Sequence, residues 1–98
     1  METSQPGNKI KKIHSQMGPP HVIKKLDKEW VIYRELGPDY EVEVSGLDNA
    51  RETFRATAFV WRRSKAVERV ETIEGIRSVT ALKRILGELN RKYAGTPV

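Results

Sequence analysis

Between Glu29 and Trp61 three runs of residues alternate apolar and polar side chains, and turn-forming residues separate the runs. A period of two puts every second side chain on one face of a strand, so a chain with this pattern folds around a half-buried antiparallel sheet. In Glu29–Leu36 the residues Trp30, Ile32 and Leu36 share one face, with Val31, Tyr33 and Glu35 on the other. Gly37-Pro38-Asp39 breaks this run, and Tyr40–Val44 resumes it with Tyr40, Val42 and Val44 opposite Glu41 and Glu43. After a second turn at Asp48-Asn49, Thr53–Trp61 sets Phe54, Ala56, Ala58 and Val60 against Thr53, Arg55, Thr57, Phe59 and Trp61.

A helix follows over Val79–Tyr93. Ala81, Leu82, Ile85, Leu86, Leu89 and Tyr93 form its apolar stripe, Ser78 is a good N-cap, and Gly95 with Pro97 supplies the stop. Gly87 inside it costs roughly 1 kcal/mol against alanine, a cost expected where a strand approaches the helix closely.

The flanking segments are less regular. His21–Leu26 reads as a short edge strand. In Ala66–Ile73 the apolar residues Val67, Val70, Ile73 and then Ile76 recur every three positions, a helical spacing, yet the β-branched content and the Gly75 stop favour a strand. Met1–Pro20 holds only Ile10, Ile13 and Met17 among polar, Gly and Pro residues, too few to build a core, so flexibility is expected there. The expected architecture is therefore α+β. A three- or four-stranded antiparallel meander with one C-terminal helix packed on one face fills residues 21–98, and a flexible basic tail fills residues 1–20.

Composition narrows the function classes. At 98 residues the chain has room for one thin-cored domain, and the lack of cysteine removes disulfides, thiolate ligands and a cysteine nucleophile, which suits the cytoplasm. No apolar run reaches the length of a membrane span, and the first twenty residues lack the apolar centre of a secretory signal. The two histidines, His14 and His21, lie in or beside the presumed tail, without the rigid surroundings a general base or metal ligand needs. Glu41 and Glu43 are explained by cross-strand pairing with a strand that carries Arg55. Neither an enzyme nor a bound metal or cofactor is expected.

Binding is the remaining class. The net charge is +5, and Met1–Lys28 alone holds six lysines against Glu2 and Asp27, a net +4, while the remainder is close to neutral. Nucleic acid is the expected partner, with Lys9, Lys11, Lys12, Lys24 and Lys25 tracking phosphates. Arg55, Trp61, Arg62, Arg63 and Lys65 would add contacts from the open sheet face and its tip, Trp61 by stacking on a base. On the helix, Arg91 and Lys92 complement the dipole and Glu88 pairs with Lys92, which leaves Lys83 and Arg84 unexplained. A protein-interaction module, or a homodimer, that buries Phe59 and Trp61 is the rival, since aromatic and arginine side chains also make interface hot spots.

Overall fold

The computed structural model describes residues 6–26, 28–49, 53–63 and 67–94. The proposed helix stop at Gly95 and Pro97, and the candidate Lys65, lie outside them. Five strands, β1 (Val22–Leu26), β2 (Glu29–Leu36), β3 (Tyr40–Ser45), β4 (Ala56–Arg62) and β5 (Glu68–Ile76), form one antiparallel sheet in sequence order. Two helices, α1 (Asn8–Met17) and α2 (Val79–Tyr93), pack on one face.

The alternation sets the registers. Ile32 lies across from Val44, Val42 from Val60, and Val44 from Ala58, so the inward residues of β2, β3 and β4 form one apolar surface. Ala56 and Ala58 are small and fully buried, which keeps that surface shallow where Leu82, Leu86 and Leu89 of α2 come down on it. The Ser78 hydroxyl caps α2 by accepting a hydrogen bond from the Ala81 amide at 3.0 Å. At the other end of α2, Tyr93 stacks on Tyr40 with ring centroids 4.7 Å apart.

Two expectations need correction. The sheet has five strands rather than three or four, and the segment expected to be a flexible tail contains α1, so the C-terminal helix has a companion. Ile10 and Ile13 are buried in the same core as Ile32, Leu36 and Leu47, and Met17 packs against it. Their spacing of three and four residues puts all three on one side of α1, and the sheet supplies the apolar partner the segment lacks in itself. The Pro19–Pro20 pair lies just beyond the helix, after Gly18, whose amide donates to the His14 carbonyl at 2.9 Å.

The threefold spacing in β5 has a different origin. Ala58 pairs with Ile73 and Ala56 with Ile76, so β5 carries an extra residue between two inward positions, and a second irregularity lies between Val60 and Trp61. The first bulge stretches the inward step from Ile73 to Ile76 from two residues to three, with Gly75 at φ 73° in the left-handed conformation it needs, whereas Val67 and Val70 are exposed and take no part in the core. The turn after β3 depends on Gly46, at φ 86°, where a Cβ would come within 2.5 Å of the Arg55 carbonyl oxygen.

The helices run in the same direction. Lys9 at the start of α1 donates to the Asn49 side chain at 2.8 Å and to the Thr53 carbonyl at 3.1 Å, in the β3–β4 connection. That connection leads into Ala56, whose partner Ile76 lies just before α2. Both N-termini thus lie at one end of the sheet. No helix among the described residues is long and apolar enough to cross a membrane.

Candidate nucleic-acid interface

The sheet face turned away from the helices is built from alternate residues of each strand. Glu41 of β3 lies across from Glu35 on one side and Trp61 on the other, and Glu43 lies between Tyr33 and Phe59. Carboxylates therefore occupy the middle of this face, between aromatic rings. The Trp61 indole N–H donates to Glu43 Oε1 at 2.8 Å, and the Tyr33 hydroxyl donates to Glu41 Oε2 at 2.7 Å. Burial pushes the Glu43 carboxyl above its ordinary range, the Trp61 hydrogen bond opposes that shift, and the neighbouring Glu41 and Glu29 charges add to it. Burial and the bond to Glu41 raise the Tyr33 phenol to about 12.

The cations beside this face are already engaged. Arg63 bonds to Glu35 and lies 3.8 Å from Glu41, and the Arg69 guanidinium lies over Phe59 at 5.6 Å, while Arg62, on the helical side at the end of β4, pairs with Glu68. On the edge strand, Lys24 lies 4.4 Å from the centre of the Tyr33 ring on this face, and Lys25, on the other side, lies 5.8 Å from the centre of the Trp30 ring. A phosphate approaching Trp61 would meet Glu35, Glu41 and Glu43 before it met an uncommitted cation.

The other candidates are dispersed. Arg55 is exposed before β4, where it lines a shallow cavity of about 310 Å³ with Gly46, Asn49 and Thr53, at the opposite end of β4 from Arg62 and Arg63. Lys9 ties α1 to that same connection. Lys11 and Lys12 stand exposed on α1. The candidates thus fall on three separate surfaces, and Trp61 is a half-buried, hydrogen-bonded member of an acid-aromatic cluster.

The helical side has a different electrostatic character. α1 has no acidic residue, and α2 has Glu88 alone against Lys83, Arg84, Arg91 and Lys92. Lys92 donates to Glu71 of β5 at 3.0 Å, and the hydrogen bond from the Tyr93 hydroxyl, followed by that from Lys92, holds the Glu71 carboxyl below its ordinary range. No ion pair among the described residues involves Lys11, Lys12, Arg77, Lys83 or Arg84. Arg77 precedes the α2 cap, no acid occupies the first turn, and Lys83 and Arg84 follow in the second. A helix dipole disfavours a cation beside the cap and gives no advantage to one in the second turn, so the dipole does not account for them.

Sequence reasoning isolated Lys83 and Arg84 as unexplained and passed over Arg77, which directly precedes the Ser78 cap where a carboxylate would be favoured. The histidines have structural partners. His14 Nε2 lies 2.7 Å from the His21 carbonyl oxygen, and His21 Nδ1 lies 3.0 Å from that of Gly18, so both rings help hold α1 to β1.

No protein-family model matches the chain, and neither a curated protein nor a solved structure is detectably similar to it.

Proposed function

We propose that this chain is a small, non-catalytic nucleic-acid-binding protein whose helical side, rather than its sheet, meets the phosphate backbone. The observation that carries this reading is the division of charge. Arg63, Arg69 and Lys24 on the sheet face are bonded to acids or laid over rings, whereas on the helical side, where Arg62 and Lys92 are paired, Lys11, Lys12, Arg77, Lys83 and Arg84 have no ion pair among the described residues. Cations of this kind gain affinity by releasing the counterions condensed on phosphate. A cysteine-free chain suits the reducing cytoplasm, where such a partner is at hand.

The salt dependence of binding tests the reading. Affinity for a short DNA duplex should fall linearly in log salt, and replacing Lys83 and Arg84 together by glutamine should flatten that line by up to about 2 units, at about 0.9 per phosphate. Trp61→Ala should leave the slope unchanged. An equal slope in the double variant and the parent would remove the helical side from the interface. One observation favours a second reading, an interaction with another protein: Tyr33, Phe59 and Trp61 lie half-buried on a sheet face that neither helix covers.

A further inference from the structure

The position of Gly87 within α2 predicts a close approach of a strand, and among the described residues there is none. A Cβ built on Gly87 meets no heavy atom of the described residues within 4 Å beyond the helix's own backbone and its chain neighbours. The glycine therefore weakens α2 without any packing return inside the molecule. Its surroundings on the helix are basic. Residues three and four apart are neighbours on a helix surface, so Gly87 is ringed by Lys83, Arg84, Asn90 and Arg91. The Asn90 side-chain oxygen is fixed by accepting from Arg34 at 3.0 Å, which brings a further cation from β2 to this side. Glu88 follows Gly87 in sequence but projects about 100° away around the helix, toward the Arg84 and Lys92 side.

We infer that the bare backbone at Gly87 is the place where a phosphodiester of a nucleic-acid duplex comes closest to the protein, flanked by Lys83, Arg84 and Arg91. The inference rests on the nucleic-acid reading above and names the contact that reading lacks. Three features point to the same occupant. Positive charge surrounds the spot, which matches an anion. Lack of a side chain lets a bulky backbone approach the helix surface, where the flanking cations rather than the helix-bonded Gly87 amide meet the phosphate. The described exposed positions of α1 and α2 hold no aromatic residue, so this side offers no platform for unpaired bases, and the duplex with its denser phosphate charge is the better match.

The test compares the full chain with Gly87→Leu, Gly87→Ala and, as a bulk control on the opposite face, Thr72→Leu. Binding is measured by fluorescence anisotropy to a short random-sequence DNA duplex and to one of its single strands, across a salt series, with thermal midpoints recorded in parallel. Gly87→Ala should raise the midpoint, because alanine removes the entropic cost of a helical glycine. Gly87→Leu should remain as stable as the parent and lose roughly tenfold or more in duplex affinity. Its salt slope should flatten by about 1 to 2 units as the wedge lifts phosphate from the flanking cations. Thr72→Leu should bind as the parent does.

A parent that binds duplex, with Gly87→Leu folded and binding equally well, would overturn the inference and leave the nucleic-acid reading intact. So would a parent that prefers the single strand. A parent that binds neither nucleic acid at low salt would overturn the nucleic-acid reading itself, and the Gly87 contact with it.

Discussion

Glu43 shows how far a single side chain can be repurposed by its neighbours across a sheet. Its position on the exposed face of an alternating strand marks it as a solvated carboxylate, but Trp61 reaches diagonally from β4 to β3 to donate to it, and burial raises its proton affinity. A carboxyl with a raised folded-state pKa binds its proton more tightly in the native protein. The resulting stability is full below the unfolded value of 4.5 and is lost as pH climbs through the raised value. Glu43→Gln keeps an acceptor for the indole and removes the charge. Its thermal midpoint relative to the parent should therefore be higher at neutral pH than below about pH 4. A difference independent of pH would show that the Glu43 charge costs the fold nothing. An aromatic cluster of Trp61 with Phe59 and Tyr33 is legible in the sequence, but the Trp61 bond to Glu43 is not, because that partnership depends on which strands are adjacent and in what register.

At the scale of elements, what was legible followed from periodicity. Strands β2, β3 and β4 and helix α2 carry clean periods of two or 3.6, and they formed as the pattern requires. Strand β5 blurred its period because each bulge adds a residue on one side of the ladder. Helix α1 was invisible for another reason: three apolar residues in ten do not make a helix in isolation, and its stability comes from docking Ile10 and Ile13 on a surface assembled by the rest of the chain. Its attachment at the β1 end passes through His14 and His21. Burial, opposed by the bond to Gly18 and reinforced by the nearby Arg34 and His14, holds the His21 imidazole below its ordinary 6.5. A depressed histidine pKa means that the unfolded or undocked chain binds the proton better. The contribution is present above about 6.5 and is lost as pH falls through the lowered value. Acidification from pH 7 to about 5 should therefore deprotect the α1 amides in hydrogen exchange before those of β3 and β4. Simultaneous loss of protection in all elements would mean that α1 has no separate latch.

Across the whole molecule the two faces are electrostatically distinct, and this is what a sequence-level charge count cannot show. The net charge of +5 is concentrated in the first 28 residues by sequence, yet the chain folds so that Lys11 and Lys12 of α1 share a side with Lys83 and Arg84 of α2, some seventy residues later. Glu35, Glu41 and Glu43 gather on the opposite side with the aromatic residues. A polyanion is attracted to one side of such a molecule and repelled by the centre of the other, so its orientation is set before any close contact forms. Amide shift perturbations from adding a short duplex at low salt should accordingly fall on Lys11–Lys12 and Arg77–Arg91. They should spare Val31, Tyr33, Phe59 and Trp61. The Trp61 indole resonance is the sharpest single reporter, because its hydrogen bond to Glu43 would be disturbed by anything that stacks on the ring or neutralises the carboxylate. If that resonance moves with the first additions of duplex while the α2 amides stay still, the sheet face is the contact surface and the helical assignment is wrong. If neither set moves but the indole shifts with protein concentration alone, the aromatic face joins copies of the chain, and the protein-interaction reading takes its place.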